Sequence, residues 1–286
     1  MSAFIHDIQT YEFLQKALFT SIIVGIICGV LGSFIILRGM SLMGDAISHA
    51  VLPGVALSYM VGINYFYGAV TFGLLTAFGI GFITQNSRVK NDTSIGIVFS
   101  AFFAVGIILI GKANTSTDLT SILFGNVLSV RDSDMWMTLG VGAVVLLVII
   151  LFYKELLVST FDPTLAASFG LPNKIIHYLL MILLTLVTVA SLQTVGIILV
   201  VAMLITPAAT AYLLTNRLSI MITISAILGA LSATIGLYIS FVYNWPSGAA
   251  IVLVTTAFFI VAFLFSPRNG IIWRSLKTRK HKTALQ

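Results

Sequence analysis

Long apolar segments recur along the whole chain, separated by short polar connections. A membrane-crossing helix needs about 20 mostly apolar residues, and nine segments approach that length. They cover residues 17–37, 43–61, 66–84, 95–111, 136–153, 175–191, 195–214, 220–243 and 248–265. The second is the least regular, because it contains Asp45, His49 and Pro53. A further apolar piece, 119–130, is too short to cross and is expected to be re-entrant or interfacial.

The composition agrees with a protein whose solvent is the lipid bilayer. The chain has 286 residues, of which 59% are hydrophobic and only 8% charged, and its mean hydropathy is +1.10. Soluble domains carry about 25% charged residues. The apolar runs are continuous rather than alternating, which favours helices over barrel strands. We therefore predict an all-α, polytopic transmembrane helical bundle of eight or nine spans, with residues 1–286 forming one membrane domain.

The positive charges predict the orientation of this bundle. Six of the fifteen Lys and Arg residues lie in the basic tail, 267–286. With that tail inside the cell, twelve of the fifteen fall on the cytoplasmic side and three outside, as the positive-inside rule requires. The C-terminus is thus expected in the cytoplasm, next to anionic membrane lipid, and nine spans would leave the N-terminus outside. We interpret the basic tail as a membrane-surface anchor and expect no nucleic-acid partner.

Asp45 and His49 form the one strongly polar site within an apolar segment. Four residues apart on a helix, they share a face, with Cβ atoms about 5–6 Å apart. Counted from Arg38 at the membrane edge, they lie roughly 10 and 16 Å deep at about 1.5 Å per residue. A central aspartate costs about 2.5–3.5 kcal/mol to insert, so such a residue normally faces a bundle interior or an aqueous path.

A carboxylate with an imidazole suits manganese, iron or zinc as a pair of ligands. Two ligands leave a site incomplete, which fits transport because the ion must leave again, and a second subunit could supply more. The pair alone leaves two alternatives open: a hydrogen bond that ties helices together, and a proton relay. Cys28, Met40, Met43 and Met203 lie in apolar helices and are expected to fill the core.

Three stretches resemble the permeases of bacterial ABC metal-uptake systems for manganese, zinc and iron. They are SLMGDAISHAVLPG at 41–54, FDPTLAASFGLP at 161–172 and TVGIILVVAMLITPAATA at 194–211. The likeness covers essentially the whole chain, and it is greatest to streptococcal-type manganese permeases. It implies a type II ABC importer-like fold in the bacterial cell membrane and ion transport along a path lined by Asp45 and His49.

The same resemblance implies the partners. Two copies of the permease would form a homodimer, joined by a cytoplasmic ATP-binding subunit and an extracellular metal-binding lipoprotein. ATP would bind the partner subunit, and the transported Mn²⁺, Zn²⁺ or Fe²⁺ would be cargo, with no cofactor bound permanently.

Residues 161–172, termed the coupling segment, would transmit motion from the ATPase. Asp162 is suited to cap a short helix that begins at Pro163, and Gly170 would end it. On pattern alone, an ordinary cytoplasmic loop helix is the alternative. The residues expected to couple to the ATPase are Asp162, Leu165, Ala166, Ala167 and Gly170. The third stretch, with Gly196 and Pro207, is expected to serve close packing at a proline kink.

Enzymatic functions are disfavoured by their missing motifs. Gly106, Gly111 and Lys112 have the spacing of a phosphate loop, but Ala113 follows where Ser or Thr is needed, and the stretch is a predicted membrane helix. A His-Glu-x-x-His motif is absent. ATP hydrolysis is therefore expected on a separate subunit.

A secondary transporter driven by an ion gradient is the alternative. Such a transporter typically has broken helices in both halves of the chain. Manganese is the expected cargo, while the two ligands themselves accept zinc and iron as well.

Overall fold

The computed structural model describes residues 10–112 and 127–266, which fold into helices with no strand among them. A short 3-10 turn, Val127–Ser129, precedes α6. The α-helices are α1 Glu12–Leu37, α2 Ser41–Ala50, α3 Leu52–Val61, α4 Tyr65–Asn86, α5 Asn91–Lys112, α6 Asp132–Leu151, α7 Tyr153–Phe161, α8 Pro163–Ser168, α9 Asn173–Val195, α10 Ile197–Leu214, α11 Leu218–Tyr243 and α12 Ser247–Phe265.

Eight helices in the described part of the chain are long and apolar enough to cross a membrane, namely α1, α4, α5, α6 and α9 to α12. Where the sequence predicts another span, at 43–61, the structure has the ten-residue helices α2 and α3, joined at Val51. Pro53 explains the interruption, because it has no N–H to donate to the carbonyl oxygen of His49.

The two short helices together make one interrupted crossing. The His49 ring lies beside Phe99 and Phe103, and Leu52 lies against Gly106 one turn further along. The α2–α3 pair therefore runs parallel to α5, which is itself of spanning length. The predicted span is thus present as a crossing, but not as one continuous helix.

Helix α1 lies at the centre of the bundle. It packs against α11, α10, α6 and α9, whereas α5, α6 and α12 are the most peripheral spans. At the crossing of α1 and α11 the two backbones touch: a Cβ on Gly229 would come 2.3 Å from the carbonyl oxygen of Gly25. Close approach at small residues is a common way for helices to associate in lipid, where apolar burial gives no advantage.

Contacts between helix ends define the two faces of the bundle. At one face, Lys16 of α1 pairs with Asp132 at the start of α6, 2.6 Å away. At the other, Arg38 after α1 donates a hydrogen bond of 2.6 Å to the Ser159 hydroxyl of α7. The coupling segment and the start of α2 therefore share one face, as the charge pattern predicts.

Helix α7 and the Gly106 to Lys112 stretch can be compared with the sequence predictions. Helix α7 was not predicted, because it is short and only partly apolar. The Gly106 to Lys112 stretch lies within α5, so it has no strand-to-helix turn that could cradle a phosphate. Most of the short apolar piece 119–130 and all of the basic tail lie outside the described residues.

The backbone contact between α1 and α11 makes a measurable prediction. Gly229→Ala should lower the melting temperature of the purified protein, since overpacking typically costs about 1–3 kcal/mol. Gly96→Ala is the matched control, because a Cβ at Gly96 has no neighbour within 4 Å among the described residues. Equal melting temperatures for Gly229→Ala and the wild type would contradict this contact.

Candidate functional site

Helix α2 carries the two candidate ligands on its exposed side. Met43, Ala46, Ile47 and Ala50 are buried and anchor the opposite side in the bundle. Asp45 and His49 lie one turn apart, as the four-residue spacing predicts. Their side chains are 52% and 30% exposed, although α2 lies within an apolar crossing, so neither group is sealed among packed side chains.

The two groups do not hold each other tightly. The Nε2 atom of His49 lies 3.6 Å from Oδ1 of Asp45, beyond the range of a hydrogen bond. Both residues belong to α2, so a bond between them would not tie two helices together. Two donors about 2.1 Å from one ion, with roughly 90–120° between the bonds, lie about 3.0–3.6 Å apart. The observed gap therefore fits two ligands of a single metal ion.

Two aromatic rings set the orientation of the His49 imidazole. Phe99 and Phe103 of α5 meet it edge to face, with ring centroids 5.8 and 5.9 Å away. The Nδ1 atom of His49 is buried and has no hydrogen-bond partner in the described part of the chain. One nitrogen of the imidazole is thus buried, while the other, Nε2, faces Asp45.

A cavity of about 480 Å³ opens beside the pair. One wall is Asp45 and His49, and most of the remainder comes from α10. The α10 and α12 residues that line it are Ile197, Ile198, Val201, Ala202, Ile205, Thr206 and Val252. The walls are apolar apart from the two candidate ligands and Thr206, which is suited to a small ion that must not be held too strongly.

Helix α10 both packs into the bundle and lines the cavity, and only the packing was predicted from the sequence. Met203, Leu204 and Ala208 are buried in packing contacts, as expected for the third stretch. The other side of α10 forms the cavity wall, which nothing in its apolar pattern indicated. Met40, Met43 and Met203 are all buried, which confirms that these methionines fill the core.

The donor set is incomplete within the described part of the chain. Across residues 10–112 and 127–266, no group of three or more His, Cys, Asp or Glu side chains could hold a metal ion. A closed structural site would need about four ligands. A complete coordination shell would therefore need donors beyond these two, such as water, a backbone carbonyl or hydroxyl group, or another chain.

The coupling segment has the local structure that its sequence predicts. The carboxylate of Asp162 accepts hydrogen bonds from the backbone N–H groups of Thr164 and Leu165, at 3.1 and 2.9 Å. Hydrogen bonds from the Thr164 hydroxyl and the Leu165 N–H lower the pKa of Asp162. Gly170 adopts a φ of +75° and ends the turn. The side chain of Asn173 ties α9 to this segment by donating to the Pro163 carbonyl oxygen, 2.6 Å away.

Exposure divides the predicted coupling residues into two groups. Leu165 and Ala167 on α8 and Gly170 just after it are exposed, whereas Ala166 is fully buried and supports the turn from within. Phe169 is 71% exposed and was not among the predicted contacts. Its only signal in the sequence is a large apolar side chain next to the glycine that ends a polar, capped helix.

The fold is that of a membrane permease of an ABC transporter. Its structure matches PsaBC from Streptococcus pneumoniae in complex with Fab, with a TM-score of 0.86 and 55% identity over 97% of this chain and 99% of that one. The sequence profile described as the ABC 3 transport family matches residues 10–266, and the chain belongs to that family.

Similar proteins extend over nearly the whole length of the chain. The manganese transport system membrane protein MntC of Listeria monocytogenes is 66% identical over 270 residues, covering 94% of this chain and 96% of that protein. The manganese import system permease protein ScaB of Streptococcus pneumoniae is 52% identical over 285 residues, covering 100% and 99%. A structure described as an inward-facing, metal-chelate type ABC transporter is 17% identical with a TM-score of 0.69, over 87% of this chain and 84% of that one, and supports the fold alone.

Proposed function

We propose that this chain is the membrane permease subunit of an ATP-driven importer of divalent transition metal ions, and that its cargo is manganese. The observation that carries the proposal is the separation of 3.6 Å between a carboxylate oxygen and an imidazole nitrogen beside an open cavity. These two donors suit a first-row divalent ion. The choice of manganese is supported by the names of relatives that are 52% to 66% identical.

The exposure of Asp45 supports a homodimer. A half-exposed carboxylate on the outer side of a membrane bundle would face lipid, which is unfavourable. A second copy packed against the cavity would replace lipid by protein and could bring a second Asp45–His49 pair to the site. The cavity would then become a path between the two copies, and the ion would be held by four donors for a short time only.

The coupling segment and the charge pattern support a cytoplasmic ATPase. The described chain contains no phosphate loop, so the energy of ATP must come from a partner subunit. The exposed surface of Leu165, Ala167 and Phe169 offers that subunit apolar contacts on a short, capped helix. The twelve-to-three distribution of Lys and Arg supports a cytoplasmic position for this face and for the C-terminus, so that the opposite face would receive metal from an extracellular lipoprotein.

Removal of either candidate ligand should abolish manganese uptake. Asp45→Ala and His49→Ala each leave a single donor, so uptake of radioactive Mn²⁺ by cells should fall to the level of cells lacking the chain. Asp92→Ala is the matched control, because Asp92 is an exposed carboxylate in the first turn of α5. Unimpaired accumulation by both site variants, at normal amounts of protein in the membrane, would disprove the site.

The surface of the coupling segment should be needed for association with the ATPase. Phe169→Ala removes its most exposed large side chain, so less ATPase should co-purify with the permease. Phe82→Ala is the control, since Phe82 of α4 is 65% exposed outside this segment. Equal co-purification for both variants would assign the contact to other residues.

A secondary transporter is distinguished by its source of energy. Vesicles that contain this chain alone should not accumulate Mn²⁺ when a proton gradient is applied. Vesicles that also contain the ATPase and the metal-binding lipoprotein should do so when ATP is supplied to the cytoplasmic face. Gradient-driven uptake by the chain alone would support the secondary transporter instead.

A further inference from the structure

Arg38 lies at the junction between α1 and the helix that carries the candidate metal ligands. Only residues 38–40 separate α1 from α2. Gly39 adopts a φ of +65°, and the N–H of Met40 donates to the Ile35 carbonyl oxygen at 2.9 Å, which is the pattern of a helix-ending Schellman turn. Met40 is buried. Helix α2 therefore starts from a short and well-defined connection, and the Arg38 side chain leaves from that connection.

The Arg38 side chain spans the gap to α7. Its Nε donates to the Thr160 hydroxyl at 3.1 Å, and its Nη2 donates to the Ser159 hydroxyl at 2.6 Å. The Thr160 hydroxyl itself donates to the Leu156 carbonyl oxygen at 2.6 Å, which leaves its lone pairs free to accept from Arg38. The two hydroxyl oxygens thus both accept hydrogen bonds from the planar guanidinium group.

This guanidinium is partly buried and has no counter-ion among the residues that the structure describes. No carboxylate in the described part of the chain lies within 4 Å of it, and Glu155, one turn earlier on α7, forms no ion pair with it. His177 of α9 is its electrostatic neighbour and cannot neutralise it. Burial lowers the pKa of Arg38, yet an arginine remains charged. Keeping a charge here without an acid is costly, and the hydrogen bonds to Ser159 and Thr160 are the contacts that stabilise it.

Ser159 and Thr160 directly precede the coupling segment. Helix α7 ends at Phe161, and Asp162 caps α8 immediately afterwards. A displacement of α8 by the ATPase must therefore move the end of α7. The hydrogen bonds of Arg38 join that end to the start of α2, and Asp45 lies seven residues after Arg38.

We propose that Arg38 is a positioning residue that transmits displacement of the coupling segment to α2, and so couples ATP hydrolysis to exposure of the Asp45–His49 pair. This inference rests on the proposed function. Arg38 does not touch the ion. Its planar guanidinium joins two helix ends through hydrogen bonds of defined direction. A lysine, with a single point charge, would reproduce this connection only in part.

The test is the number of manganese ions transported per ATP hydrolysed by the complete importer in proteoliposomes. The complex contains this chain, its ATPase and its metal-binding lipoprotein. Arg38→Gln, and separately the double variant Ser159→Ala with Thr160→Val, should lower this ratio by at least about fivefold, the lower end of typical coupling effects. Arg38→Lys should give an intermediate ratio. Arg88→Gln is the control, because Arg88 is an exposed arginine in the α4–α5 connection.

Further measurements separate transmission from a merely structural contribution. The variants should hydrolyse ATP and bind Mn²⁺ as the wild type does. Arg38→Gln combined with the hydroxyl double variant should lower the ratio no further than either change alone. If Arg38→Gln fails to fold, the hydroxyl double variant still tests the connection while the arginine is retained.

An unchanged number of manganese ions transported per ATP in the hydroxyl double variant would overturn the inference. So would variants in which manganese uptake and ATP hydrolysis fall by the same factor. The proposed function fails in a different way, through a wild-type complex that transports no manganese at all.

Discussion

The structure depends on holding a carboxylate and an imidazole on one face of a short helix inside an apolar bundle. That face must border protein or water rather than lipid. The opposite face of α2 is buried, and α4, α5, α9 and α10 all pack around it. The interruption between α2 and α3 separates the half of the crossing that carries the candidate ligands from the half that packs closely against α4. One proline thus accounts for a crossing that packs into the bundle at one end and exposes the candidate ligands at the other.

Much of the fold follows from the apolar pattern, because lipid forces every crossing segment to be long, apolar and internally hydrogen-bonded. Eight of the nine predicted spans are long helices. The ninth is interrupted, since Pro53 removes a hydrogen bond that hydropathy does not count. Helix α7 could not be found in this way, because it is short and does not cross the bundle. The two hydroxyls that Arg38 contacts, those of Ser159 and Thr160, are ordinary in isolation.

The candidate site was only partly predictable. The spacing of Asp45 and His49 gives their common face, and the cap at Asp162 gives the start of α8. The cavity wall on α10 was not predictable, because Ile198, Val201 and Ile205 look like any apolar helix. The same holds for Phe99 and Phe103, which reach His49 only through the tertiary packing of α5 against α2. Sequence patterns give positions along one element, whereas a site is made where several elements meet.

The single residue between α9 and α10 has a mechanical consequence. Gly196, with a φ of +83°, is the only residue between these helices, so their adjoining ends cannot separate. The opposite end of α9 is bonded to the Pro163 carbonyl through Asn173. Helix α9 is therefore a lever of 23 residues, about 35 Å long, and a tilt of about 5° would move its far end by roughly 3 Å. The cavity wall on α10 is attached to that far end, so a small tilt that begins beside the coupling segment would move the wall by about the spacing of two donors bound to one metal ion.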